Sequence, residues 1–359
     1  MKIGIVTQPL SRNYGGILQN YALQQTLIKL GHTPYTFDLG KYTWKNWGVT
    51  TIKSIIKKLI GRPYYFPETP YKRNKSEEIL RDFVKQHINL ISPRNYRPNP
   101  NKIKEYGLEA LIVGSDQVWR PMYNYNIEDM FLRFAQSANI KRIAYAASFG
   151  TGQWEYNDLQ TANCKTLAHE FDAISVREDS AVDLCKKYLG VEAIHTLDPT
   201  MLLTFDEYNK LLLDMPRNTN RVLFAYLLDI TEQKVEYVKN VATSMGLEPI
   251  IMSAHTQLSA SDSIEKWLAN FRDAQYIVTD SFHGCAFSII YNVDFTVIGN
   301  MHRGLDRMTS LLKSVGLMSR LIDESNLKSE QYTQIDWNKV NIQLNSLRKD
   351  SISFLTRNI

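Results

Sequence analysis

The sequence predicts an α/β protein built as two Rossmann-like domains facing a cleft, and three observations carry that expectation. Short apolar runs alternate with helical patterns almost throughout, which is how a parallel, helix-covered sheet reads. The runs fall into two sets divided by a polar stretch, LLLDMPRNTNR from Leu211 to Arg221, that reads as a linker. With 359 residues, 44% of them hydrophobic, the chain is long enough to bury two cores.

In chain order, the strands of the first set are Lys2 to Thr7, Pro34 to Leu39, Ala110 to Gly114, Arg142 to Ala147, Asp172 to Val176 and Glu192 to Leu197. Those of the second are Arg221 to Leu228, Glu248 to Met252, Gln275 to Thr279 and Asp294 to Ile298. The stretch from Trp337 to Ile359 is helix-like and can cross back to the first half. This divides the chain into a first domain over 1–210, a second, donor-binding domain over 211–336 and a terminal helix over 337–359. Internal repeats and low-complexity segments are absent from the sequence.

Composition excludes several classes. The opening MKIGIVTQPL suits a first strand and is too short for a signal h-region, and no run approaches the roughly 18 apolar residues of a spanning helix. Cys164, Cys185 and Cys285 follow no CxxC or Cys/His spacing, so neither a disulfide framework nor a structural zinc site is suggested, and the cytoplasm is the expected compartment. The net charge of +5 is local in origin: from Lys41 to Lys75 nine basic residues face one acid, Glu68. Trp44, Trp47, Tyr64, Tyr65, Phe66 and Tyr71 are interleaved, and Ile52, Ile55, Ile56, Leu59 and Ile60 fall at helical spacing with lysines largely opposite. Two readings fit this insertion over 41–75: a helix lying peripherally on an anionic membrane, or an ordinary surface helix packed on its own domain. Nucleic acid is not an expected partner, since no RNA- or DNA-binding signature accompanies the patch.

Ligands of open α/β sheets bind outside the carboxyl ends of the strands, so the residues after each strand are the candidates for chemistry. After the first strand, Asn13, Gly15 and Gly16 open an amphipathic helix whose free N–H groups can hold an anion, although a plain tight turn fits equally. No GxGxxG or GK[ST] is present, so neither a dinucleotide fingerprint nor a P-loop is read. After the strands ending at Gly114 and Val176, Ser115 or Asp116, and Asp179 or Ser180, fit as helix caps. Capping does not account for Arg177, an always-charged fork donor suited to phosphate or carboxylate, whose competing use is a salt bridge with an acid such as Glu178. His255 faces the same rim as a bystander. In TDSFHG, Ser281 is a candidate substrate contact, and as N-cap it puts His283 in the first helical turn, where the helix dipole disfavours the imidazolium and Asp280 opposes that effect. Downstream lie His302, Arg303 and Arg307. On a helix the two arginines share a face and can clamp a doubly anionic ligand, pairing with Asp306 being the alternative.

Six stretches, NYGGILQNYALQ, VGSDQVW, SVREDSA, LDPTMLL, TDSFHGCAFSIIYN and RGLDRMTSLLKSVGL, together resemble the polysaccharide pyruvyl transferase family. The resemblance implies a GT-B-like fold and transfer of the pyruvyl group of phosphoenolpyruvate to a sugar of a bacterial surface polysaccharide precursor. A cyclic ketal forms and phosphate leaves. It further implies His283 and Arg177 as donor contacts. The chemistry calls for no cofactor beyond the donor substrate and no metal, and the sequence offers no ligand cluster for one. Val176-Arg177-Glu178 departs from the family's frequent VRD, which puts a role for the acid in doubt. In this chemistry Arg177, Arg303 and Arg307 neutralise the donor, His283 protonates or stabilises the departing phosphate, and Asp116 or Asp280 accepts the hydroxyl proton. The acceptor is expected on a membrane-embedded lipid diphosphate. Two rival readings stand beside this one: a GT-B glycosyltransferase using a nucleotide sugar, and a non-catalytic saccharide-binding protein.

Overall fold

The computed structural model describes residues 1–359 except 62, 63, 65, 125, 254–261, 300–303 and 328–333. In the first half, β1 (Lys2–Val6), α1 (Tyr14–Lys29), β2 (Thr33–Leu39), α2 (Trp44–Leu59), α3 (Pro70–His87), β3 (Leu90–Asn95) and α4 (Asn101–Tyr106) come in turn. They are followed by β4 (Ala110–Val113), β5 (Lys141–Ala147), α5 (Asp158–Ala168), β6 (Ala173–Val176), α6 (Asp179–Leu184) and β7 (Ile194–His195). The strands form one seven-stranded sheet in the order β3-β2-β1-β4-β5-β6-β7, parallel throughout.

After α7 (Phe205–Asn209) the second half holds β8 (Val222–Leu227), α8 (Glu232–Met245), β9 (Glu248–Ser253), α9 (Ile264–Asp273), β10 (Tyr276–Thr279) and α10 (Phe282–Ile290). It continues through β11 (Phe295–Gly299), α11 (Asp306–Ser314) and β12 (Leu321–Asp323), and the chain closes on α12 (Trp337–Asn358). This sheet is five-stranded and parallel, ordered β12-β11-β10-β8-β9. The expected pair of Rossmann-like halves facing a cleft is therefore the architecture observed. The central strands β4 and β8 are buried at every position, which is why ALIV and VLFAYL read as unbroken apolar runs.

Strand order fixes where a ligand can sit. In the first sheet the chain runs outward from β1 to β3 and returns to place β4 on the other flank of β1; in the second it runs from β8 to β9 and returns to place β10 beside β8. Each reversal is a topological switch point, where the loops diverge and leave a crevice at the strand ends. The residues after β1 and β4, and after β8 and β10, consequently line one cleft from opposite sides.

The halves share a core. Tyr14, the first residue of α1, stacks on Trp267 of α9 with ring centroids 5.5 Å apart and meets Tyr226 of β8 edge-on at 6.1 Å. Its hydroxyl donates to the Asp262 carbonyl at 2.6 Å. Helix α12 begins on the second half, where Trp337 Nε1 donates to Asp294 at 3.1 Å, and ends on the first. There Ser351 Oγ accepts from Leu197 N at 3.0 Å and Arg348 Nε donates to the Met201 carbonyl at 2.8 Å. Trp267 lies at the centre of this shared cluster, fully buried against Phe271 and Phe287. Trp267→Ala is expected to cost about 3–5 kcal/mol in urea unfolding. A loss below about 1 kcal/mol would mean that the halves do not depend on this contact.

Candidate active site

The floor of the cleft comes from the first sheet. Asn13 caps α1, its Oδ1 accepting from Gly16 N at 3.1 Å while its Nδ2 donates to Asp116 Oδ2 at 3.2 Å. Gln19, one turn along the same helix, donates to Thr7 Oγ1 at 3.0 Å and accepts from Ser115 N at 3.0 Å, tying the ends of β1 and β4 together. Ser115 and Asp116 were expected as helix caps, but no helix follows them directly. Asp116 instead takes a left-handed conformation with φ of 65°, which an aspartate tolerates because its short side chain bonds locally, here accepting from Gln117 N at 2.9 Å. It is 6% exposed and lines the cleft.

Beneath this floor sits a buried carboxylate that sequence reasoning passed over. Asp198, three residues beyond β7, is 1% exposed. Its Oδ1 accepts from Thr200 N at 2.9 Å and Thr200 Oγ1 at 2.7 Å, and its Oδ2 lies 3.0 Å from Ser115 Oγ and 2.8 Å from Arg177 Nη1. His283 Nε2, from the other half of the molecule, stands 3.7 Å from the same Oδ2. Burial alone would raise the Asp198 pKa; His283 and the Arg177 guanidinium outweigh it and hold the carboxyl well below the usual range.

Arg177 follows β6 and reaches inward. Its Nη2 is 3.6 Å from Asp116 Oδ1 and its guanidinium lies 4.5 Å over the Phe282 ring. It was expected as a direct donor contact, yet its side chain is 1% exposed and sits behind the cleft wall. Glu178, expected as a pairing acid, is committed to the loop after β5: its Oε1 accepts from Ser148 Oγ at 3.1 Å, Phe149 N at 2.7 Å and Gly150 N at 3.1 Å. Burial raises its pKa, against the opposing pull of Arg177 and Arg307.

The opposite wall is the turn between β10 and α10. Ser281 is the N-cap, its Oγ accepting from Gly284 N at 3.3 Å, which puts His283 in the first turn as expected. The imidazole packs against α1, and a Cβ built on Gly15 would fall 2.0 Å from His283 Nδ1, so only glycine allows the halves to approach here. The paired glycines thus serve packing, and the Gly16 N–H is taken by Asn13. Asp280, a candidate base, has both oxygens committed: Oδ1 accepts from Leu228 N at 2.5 Å, and Oδ2 from Asp229 N at 3.2 Å and from the fully buried Lys234 Nζ at 2.9 Å. Lys234 also pairs with Glu324 at 3.0 Å, so the lysine anchors the turn to the second sheet.

Arg307, on α11, is 9% exposed and lines the cleft. Burial and the nearby Arg177 charge push its pKa down to about 10, with Asp116 and Glu178 offsetting part of the effect. It stays charged at neutral pH. Arg303 and His302, and His255 likewise, lie outside the described residues. The cleft has a volume of about 540 Å³, and its outer rim adds Arg12, Glu68 and Arg73, none of them among the expected site residues. Arg12 pairs with Glu68 and donates to Ser76, while Arg73 Nε donates to Glu77 at 2.9 Å.

A family model described as polysaccharide pyruvyl transferase matches residues 13–302. The chain belongs to the polysaccharide pyruvyl transferase family. Membership assigns this transferase, in general terms, pyruvyl transfer with a polysaccharide acceptor. No curated protein matches the chain. Among solved structures it is similar to a UDP-N-acetylglucosamine 2-epimerase from Rickettsia bellii, at 11% identity over 100% of this chain and 99% of that one, with a TM-score of 0.44. A glycosyltransferase of Streptomyces sp. SF2575 gives 12% identity, 99% of both chains and 0.44. A UDP-GlcNAc 2-epimerase from Methanocaldococcus jannaschii gives 11%, 96% and 92%, and 0.46. Likenesses this distant say nothing of what the transferase binds.

The buried cluster has a measurable signature. Asp198→Asn leaves Arg177 without its carboxylate and is expected to destabilise the transferase by about 3–5 kcal/mol at pH 7 in guanidinium unfolding. Because the folded pKa of Asp198 is depressed, its contribution is present in full above the ordinary aspartate value of about 3.9 and is lost as pH falls through the folded value. The gap between parent and variant should therefore hold from neutral pH to about pH 4 and close below it. A gap that closes between pH 7 and 5 would contradict this.

Proposed function

We propose that this transferase moves the pyruvyl group of phosphoenolpyruvate onto a sugar of a bacterial surface polysaccharide precursor, closing a cyclic ketal and releasing phosphate. The observation that carries the reading is the set of buried donors where the two switch points meet. Among the described residues, His283 Nε2 and the Nε and Nη2 of Arg177 have no acceptor within hydrogen-bond distance although all three are buried, Asp198 Oδ2 standing 3.7 Å from the first and Asp116 Oδ1 3.6 Å from the last. Buried donors left unpaired are costly, and a ligand rich in anionic oxygens offsets that cost at His283, with Arg177 and Arg307 supplying positive potential from behind and beside it. Phosphoenolpyruvate carries a carboxylate and a phosphate in a small volume, and a cleft of about 540 Å³ leaves room for a sugar as well.

The residues divide the chemistry as follows. Protonation of the donor's methylene carbon makes a methyl group and an oxocarbenium-like centre; a sugar oxygen adds there, the bond from that carbon to the phosphate oxygen breaks, and a second hydroxyl closes the ketal. Of the two hydroxyl protons, one balances the methyl hydrogen and the other leaves with phosphate. Asp116 is the base in this scheme, because the Asp280 oxygens are already engaged while Asp116 faces the cleft with acceptor capacity to spare. His283 meets the departing phosphate, where charge accumulates, and a donor fixed in place stabilises that state more than the bound reactant. Arg177 acts from behind the wall as a positioning residue, since it reaches His283 through Asp198. The acceptor in this reading is a saccharide carried on a lipid diphosphate and met from the cytoplasmic side.

Run in D₂O with phosphoenolpyruvate and acceptor, the reaction should place one deuterium in the product methyl while inorganic phosphate appears in step with product. His283→Gln should lower kcat by roughly 10²–10⁴-fold with a smaller change in KM. Release of a nucleoside diphosphate from a nucleotide sugar, with no phosphate from phosphoenolpyruvate, would overturn the reading in favour of glycosyl transfer.

A further inference from the structure

Helix α2 is built with its apolar side outward. Projected at the helical period, Trp44, Ile52, Ile55, Ile56 and Leu59 share one broad arc, and they are 61%, 59%, 44%, 51% and 79% exposed. The arc turned toward the protein carries hydroxyls and one indole: Ser54 is the buried residue of the helix, Thr50 and Thr51 are half-buried, and Trp47 Nε1 donates to the Pro67 carbonyl at 3.3 Å. Thr50 and Ser54 return their protons to carbonyls four residues back, at 2.9 Å each. The helix thus packs on its own domain through this arc, and the apolar stripe stays outside that contact. A contiguous exposed apolar patch rimmed by charge marks a surface that meets something else.

The geometry points to an anionic lipid surface as the occupant. Lys53 and Lys57 flank one side of the apolar arc, Lys58 stands beyond its other side, Lys45 lies within it in the first turn of the helix, and no acid occurs between Trp44 and Leu59. In an isologous contact with a second copy, this helix would set its lysines against the same lysines. Anionic headgroups complement them while the isoleucines and Leu59 enter the acyl boundary. The same stretch of chain continues into the rim of the cleft, through Glu68 on Arg12 and through Arg73 and Ser76 of α3, so docking through α2 would bring the site to the bilayer. This deepens the proposed function by giving a lipid-carried acceptor its point of contact, but vesicle binding is read without turnover, so either idea can fail alone.

The full chain should float with vesicles of phosphatidylcholine and phosphatidylglycerol and bind pure phosphatidylcholine far more weakly. Lys53→Ala, Lys57→Ala and Lys58→Ala combined should lower the apparent affinity roughly 100-fold, about fivefold for each lysine. Ile56→Asp with Leu59→Asp should reduce it as well; all these side chains are exposed, so circular dichroism and phosphate release with a soluble acceptor should stay at parental levels. Failure to bind the anionic vesicles, or binding that both variant sets leave unchanged, would overturn the proposal. So would a lipid-free dimer that splits on Ile56→Asp with Leu59→Asp, which would assign the face to a second copy.

Discussion

The site depends on one buried carboxylate. Asp198 is 1% exposed to solvent, and its charge is held by Thr200, Ser115 and Arg177 around it and by His283, which approaches from the other domain. An uncompensated charge at such depth costs several kcal/mol, which makes the arrangement all-or-none: the guanidinium, the hydroxyls and the imidazole have to be where they are for the fold to tolerate the acid. The first domain thereby reaches across the cleft and holds a residue of the second at a defined distance.

The same logic orders the opposite wall. Lys234 and Asp280 are a second buried pair, with the carboxylate also receiving the Leu228 and Asp229 amides, and they pin the turn that presents Ser281 and His283. Tyr14 on Trp267 and the bare face of Gly15 against the imidazole set how closely the domains approach. Two charge networks and one aromatic contact thus converge on His283, and Arg307 lies near Arg177, Asp116 and Glu178. Arg177 and Lys234 are each held by buried carboxylates at the walls of the cleft.

Much of this was legible in the sequence because a parallel sheet writes itself as apolar runs. The central strands and the Ser281 cap were readable for that reason. The edge strands β3 and β12 were not: LISPRN carries a proline and is half exposed, and LID spans three residues. Asp198 escaped because it sits past a two-residue strand in LDPT, where an acid before proline reads as a turn, and only the folded chain brings it to Arg177. Asp280 was read as chemical because TDSFHG looks polar, but its partner Lys234 is 46 residues away and nothing local announces the pair. The stripe on α2 was visible as a pattern, yet which way it faces is decided by Trp47 and Ser54, which turn their own side inward.

If Asp198 couples Arg177 to His283 as one unit, that coupling is measurable. A double-mutant cycle of Asp198→Asn and His283→Gln on kcat/KM for phosphoenolpyruvate isolates it, under conditions where all four proteins are folded. A shared unit makes the double variant little worse than the more impaired single one, with a coupling of about 1–3 kcal/mol. Losses that simply multiply would show that the carboxylate and the imidazole act independently, and would contradict the assembly of the site around Asp198.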